Sequence, residues 1–167
     1  MKKTIVILLS YIIGTTVVDA NNWKKHYQGY MADITVTASY GIDPELNGRL
    51  YLASIETNHG YCYENGWFVG GGAGFEFFTD YAFYIPLYSE IRYYIPNSPI
   101  FLSSKIGAEF GKGYGLGYPF LLSEGGGGLF CGRWSFSLST RRLTGYSSGR
   151  NLAIPLSSIR MGISYHF

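Results

Sequence analysis

Asp33, Glu76, Glu90, Arg92, Lys105, Glu109 and Arg160 stand on the polar side of short segments in which polar and apolar residues alternate. Strand side chains point alternately to two faces, so these residues are expected to share one interior. Both signs of charge are present there. Paired, they satisfy one another; an unpaired buried charge would cost several kcal/mol. The chemistry this predicts is electrostatic rather than catalytic: ion pairs and hydrogen bonds that fill an enclosed space. Glu90 or Arg92 can meet Lys105 or Glu109 across a tight connection, and the sequence leaves the partners open.

Other reactive residues form no recognised site. A serine hydrolase needs a Ser hydrogen-bonded to a His that a carboxylate orients. Ser164 and His166 share a face, but at the far end of the last segment; His26 lies in a polar lead-in and His59 beside a turn. No catalytic residue is assigned. Cys62 and Cys131 have no metal-ligand spacing, and no cofactor or metal is expected. Both cysteines fall near turns of different hairpins, further apart than the ~7 Å Cα limit for a disulfide, so free thiols are predicted. Arg141, Arg142 and Arg150 surround the Gly/Ser-rich connection Thr144–Ala153. Guanidinium forks suit phosphate oxygens, which fits contact with lipopolysaccharide phosphates if that connection lies on an outer-membrane surface; a plain solvated loop fits the same residues equally well.

About eight alternating segments can position these residues, each near the ~9–11 residues of a tilted membrane strand. They are Gln28–Ile42, Gly48–Gly60, Trp67–Phe78, Phe83–Ile95, Ile100–Gly111, Tyr118–Phe130, Trp134–Leu143 and Ser157–Phe167. Leu50-Tyr51-Leu52 blurs the second, where a bulge is expected to shift the register. Gly125–Gly128 weakens the sixth and leaves the facing of Glu124 open. Other glycines are expected to make room for bulky interior residues such as Tyr88 and Tyr94. Asn97-Ser98 and Cys131-Gly132-Arg133 read as tight turns, and Thr144–Ala153 as the longest connection. In the last segment Ile159, Met161, Ile163, Tyr165 and Phe167 form one apolar face, suited to recognition by the barrel-assembly machinery.

Lys2 and Lys3, then an apolar stretch to about Val18, then Val18-Asp19-Ala20, read as a signal peptide over residues 1–20. Residues 21–167 would form one domain. Removing Lys2, Lys3 and Asp19 takes the net charge from +2 to +1, which implies no nucleic-acid partner. Charged residues make up 14%, against ~25% in a typical soluble domain. That is too few to solvate a whole exterior and argues against a lipocalin-type barrel, which is apolar inside and wet outside. Aromatics reach 18%, and Trp67, Trp134, Tyr94 and Tyr165 are placed in an interfacial girdle.

Ala38-Ser39-Tyr40-Gly41-Ile42, Thr57-Asn58-His59-Gly60-Tyr61, the Gly-rich Phe68–Phe75, Ile91-Arg92-Tyr93-Tyr94 and the Arg160–Phe167 terminus together resemble the small OmpA/OmpX-like "porin family" outer-membrane β-barrels. The resemblance covers essentially the whole mature chain. It implies an all-β, eight-stranded, antiparallel, up-and-down transmembrane barrel in the outer membrane, surrounded by its lipid and lipopolysaccharide. Ser164-x-His166 does not follow the His-x-Ser order of the lipid A deacylase barrels. The expected role is structural or surface-interacting, without catalysis and with a lumen plugged by side chains. A narrow porin for ions or small solutes is the alternative, and a lipid-modifying enzyme the third.

Overall fold

A computed structural model of the chain describes residues 28–43, 48–78, 83–112, 119–146 and 153–167. The expected signal peptide and polar lead-in lie outside them. Eight strands follow one another: β1 (Gly29–Asp43), β2 (Gly48–Cys62), β3 (Trp67–Phe78), β4 (Phe83–Tyr94), β5 (Ile100–Lys112), β6 (Phe120–Cys131), β7 (Trp134–Tyr146) and β8 (Ala153–His166). Each pairs antiparallel with its neighbours, and β1 pairs β8 to close the barrel. No sheet edge is left unpaired, which is the condition for strands to cross a hydrocarbon layer.

The period of two decides facing. Ile34, Val36, Val69, Phe75, Leu87, Ile106, Leu138 and Ile163 are exposed outside, while Asp33, Glu76, Glu90, Arg92, Lys105, Glu109 and Arg160 are buried inside. This is the reverse of a lipocalin-type barrel. The fold is an all-β, eight-stranded antiparallel transmembrane barrel.

Two register expectations change. The β1–β2 ladder runs without a break from Gly29↔Cys62 to Asp43↔Gly48, so β2 carries no bulge. Tyr51 simply stays outside, its ring 5.6 Å from that of Tyr40, and Leu52 turns inside. The glycine run of β6 is fully paired on both sides and Glu124 faces the interior. These glycines give space: a Cβ at Gly128 would lie 2.7 Å from the Phe101 ring, and one at Gly72 would lie 2.8 Å from that of Tyr88.

Three short turns lie at the end that holds Phe167, here the turn end. One uses Gly132 at φ 60°, and another places Asn97 at φ 60°, the left-handed region that Gly and Asn tolerate best. At the opposite, loop end, residues 113–119 separate β5 from β6 and residues 147–152 separate β7 from β8. The last connection is therefore shorter than expected and not the longest, because β7 and β8 continue their pairing to Tyr146↔Ala153. The aromatic girdle at the turn end contains Trp67 against Tyr93 at 4.8 Å and Trp134 against Tyr165 at 5.0 Å. Tyr93 takes the place expected for Tyr94, whose side chain is buried in the lumen.

Candidate functional site

The lumen is built in three layers. Met31, Cys62, Phe68, Tyr94, Phe101 and Phe130 fill the turn end. Leu52, Tyr84, Tyr88, Phe120, Leu122 and Leu143 fill the loop end. Between them lies the charged layer. Strand parity places the aromatics inside; barrel closure brings them together from β3, β4, β5 and β6, and an eight-stranded interior is narrow enough for such side chains to fill it.

Glu56 is the hub of the charged layer. It accepts from Lys105 Nζ at 2.9 Å, Arg160 Nη2 at 2.6 Å, Arg141 Nη2 at 3.1 Å, the Tyr88 hydroxyl at 2.7 Å and the Ser54 hydroxyl at 3.0 Å. Glu124 accepts from Arg141 Nε at 2.9 Å, Arg160 Nη1 at 2.8 Å and Ser139 at 2.9 Å. Arg141 also donates to Glu76. A second group lies nearer the turn end. Arg92 Nη1 donates to Asp33 Oδ2 at 2.6 Å, and its Nε and Nη2 fork onto Glu90 at 2.5 and 2.9 Å. Its guanidinium sits 5.0 Å from the centre of the Phe68 ring. Asn58 donates to Asp33 at 2.7 Å. Bidentate and charge-assisted bonds of this kind are what make buried charge tolerable.

All seven predicted lumen residues are inside, but their partners are not the neighbours across the β4–β5 turn. Glu90 stands directly opposite Lys105 in register, yet Lys105 reaches to Glu56 and Arg92 to Asp33. Arg141 corrects an expectation: it is 1% exposed and central to the lumen, so it cannot meet lipopolysaccharide. The reason is parity, since β7 continues past it and Arg142 takes the outward position. Arg150 lies outside the described residues. Glu56, Asn58 and Glu124 were not assigned from sequence. The alternation Ser54, Glu56, Asn58 would have found the first two. Ile159, Met161, Ile163 and Phe167 are exposed on one outward face, and the Phe167 N–H donates to Ala32 O at 2.9 Å.

Among the described residues the lumen holds six carboxylates (Asp33, Glu56, Glu76, Glu90, Glu109, Glu124) and four cations (Arg92, Lys105, Arg141, Arg160). Glu109 is the least served: neither carboxylate oxygen receives a hydrogen bond, and Arg141 Nη1 stands at 3.7 Å. Cys62 and Cys131 are both free.

One group has the composition of a hydrolytic triad. His166 Nε2 lies 2.8 Å from Ser135 Oγ, and Nδ1 lies 3.7 Å from Asp33 Oδ2. Ser164 bonds Thr35 instead, at 2.8 Å. All three triad-like residues are buried, the Phe130 ring lies 4.6 Å from that of His166, and Asp33 is already engaged by Arg92 and Asn58. At 3.7 Å the carboxylate does not hydrogen-bond the imidazole. The Ser135–His166 bond ties β7 to β8.

No protein-family model matches the chain, and no curated protein does. Solved structures do. Neisserial surface protein A superposes with a TM-score of 0.56 at 11% identity, over 84% of this chain and 98% of that one. It has the fold of the OmpA/OmpX-like outer-membrane barrels. The outer-membrane enzyme PagL gives 0.56 at 15% identity, over 78% of this chain and 98% of its own. Ail, the attachment invasion locus protein of Yersinia pestis, gives 0.53 at 15%, over 84% and 99%. These identities carry the fold alone, and the porin label finds no support in them. An enzyme and an attachment protein share the architecture, so function must be argued from the site.

Proposed function

We propose that this chain is a non-catalytic barrel of the outer membrane whose sealed lumen serves envelope integrity and whose outer surfaces meet the surrounding lipid. One observation carries the reading: a charged layer in which Arg92, Lys105, Arg141 and Arg160 each pair with lumen carboxylates lies between two apolar layers. A water path would have to separate the Phe68, Phe101 and Phe130 rings at one end and leave cations of the network without their carboxylates.

The chain reconstituted in planar bilayers is expected to give no steady conductance. Stable, salt-dependent single-channel currents would overturn the sealed reading and favour the narrow porin. The hydrolase reading has Ser135 and His166 in its favour. It requires Ser135 to be labelled by a fluorophosphonate probe in the folded, lipid-embedded protein. Burial of Ser135 behind Phe130 leads us to expect no label.

A further inference from the structure

Among the described residues the outward wall carries a charged break in its apolar surface. Among residues whose side chains are described, Arg142 is the one Asp, Glu, Lys or Arg on the outward face of any strand. Register sets it between Ser123 of β6 and Ser157 of β8. One step towards the turn end, Ser104, Gly125 and Thr140 form a second outward row. Over these two rows lies a recess of about 740 Å³ in the wall, bordered by Tyr40, Ile106 and Ile159 and reaching the inward-facing residues Lys105, Glu124 and Arg141 between them. Gly125 opens it: a Cβ added there would meet nothing within 4 Å.

Depth locates the recess. Arg142 lies eight residues along β7 from the girdle residue Trp134. That is about 20 Å up a strand tilted by about 40°, inside an apolar band ~25 Å tall. Arg142 therefore sits just below the headgroups of the leaflet at the loop end. Its guanidinium pairs with no side chain among the described residues. A charge facing hydrocarbon at mid-membrane is disfavoured, and one near the headgroups is stabilised by an anion brought to it. Guanidinium forks match phosphate oxygens. The adjoining hydroxyls of Ser104, Ser123, Thr140 and Ser157 suit sugar hydroxyls, and Ile106 and Ile159 suit acyl chains.

We propose that this recess is a lateral binding site for a phosphorylated glycolipid of lipid A type. Arg142 holds a phosphate, the serine and threonine row holds the sugar, and the open space above Gly125 admits it. The assignment rests on the outer-membrane reading, with the loop end facing outward as longer loops do in such barrels.

Native mass spectrometry of the refolded chain with bisphosphorylated lipid A, lipid A stripped of its phosphates, or phosphatidylglycerol tests this. Wild type is expected to retain the bisphosphorylated form in preference to the other two. Arg142→Gln should lower that retention by about tenfold or more, the loss of a charge-assisted contact. Gly125→Leu, which puts a bulky side chain into the recess from a position where a Cβ meets nothing within 4 Å, should abolish it. Equal retention by wild type and both variants would overturn the site. Equal retention of the phosphate-free form, or of phosphatidylglycerol, would overturn the assigned ligand. A dimer lost in Gly125→Leu would show that a second copy occupies the face, and would overturn it too. Heat-modifiability and conductance of the same preparations report separately on folding and on the sealed lumen, neither of which uses Arg142.

Discussion

Glu56→Gln separates two accounts of the lumen. Carboxylates outnumber cations there by two among the described residues, six against four. If only the sum of charges mattered, removing one acid would stabilise the protein. Contacts predict the opposite. Three cations donate to Glu56 within 3.1 Å, together with two hydroxyls. A glutamine with its oxygen towards the arginines turns its amide –NH2 to Lys105 and Tyr88, donor against donor. One charge-assisted bond is then lost outright, at ~1.5–3 kcal/mol. The two arginines lose the charge they faced, bringing the total to about 3–5 kcal/mol, as for a broken buried pair. A value near 4 kcal/mol shifts the folding equilibrium by about a thousandfold. Glu109→Gln is the matched control. Its oxygens receive no hydrogen bond and its nearest cation is at 3.7 Å, so the swap replaces a buried carboxyl that no cation holds closely. It is expected to be neutral or stabilising. Denaturant unfolding of both variants in bilayers, scored by heat-modifiable electrophoresis, measures the difference. Equal stabilities, or a less stable Glu109→Gln, would refute the contact argument.

The adjacent arginines should behave oppositely. Arg141→Ala is expected to cost ~3–5 kcal/mol because it strips cations from Glu56, Glu76 and Glu124, and Arg142→Ala no more than ~1 kcal/mol, measured by the same unfolding assay. Ile163→Arg should cost ~2–4 kcal/mol on refolding into bilayers, and Ser164→Ala, which loses only its bond to Thr35, ~1 kcal/mol; equal costs would mean the facing is wrong. Deleting Phe167 removes the Phe167 N–H···O Ala32 bond and an exposed ring set edge-on 5.2 Å from that of Tyr165, and should lower the folded fraction recovered from outer membranes. An unchanged yield would exclude that residue from the assembly motif.

Strand facing was legible from the sequence because parity is local: a residue and its second neighbour share a face whatever the rest of the chain does. Parity put Asp33, Glu76, Glu90, Arg92, Lys105, Glu109 and Arg160 on one kind of face and Ile163 on the other, and the low charged fraction made the polar face the interior. The same rule, carried from Trp134, Phe136 and Leu138 to the end of their segment, would have turned Arg141 inward and Arg142 outward. What parity cannot supply is reach across the lumen. Register and closure set which charges from different strands come within 3 Å, and these are sums over all eight strands. So Arg92 meets Asp33, fifty-nine residues away, rather than Lys105 or Glu109 on the next strand. Closure also decides the fate of Phe68, Phe101 and Phe130. Their type suits a lipid-facing wall, and only the narrow interior of a barrel gives them each other to pack against. The recess over Gly125 belongs to the same class, because its two rows join residues from β5, β6, β7 and β8 that no stretch of sequence holds together.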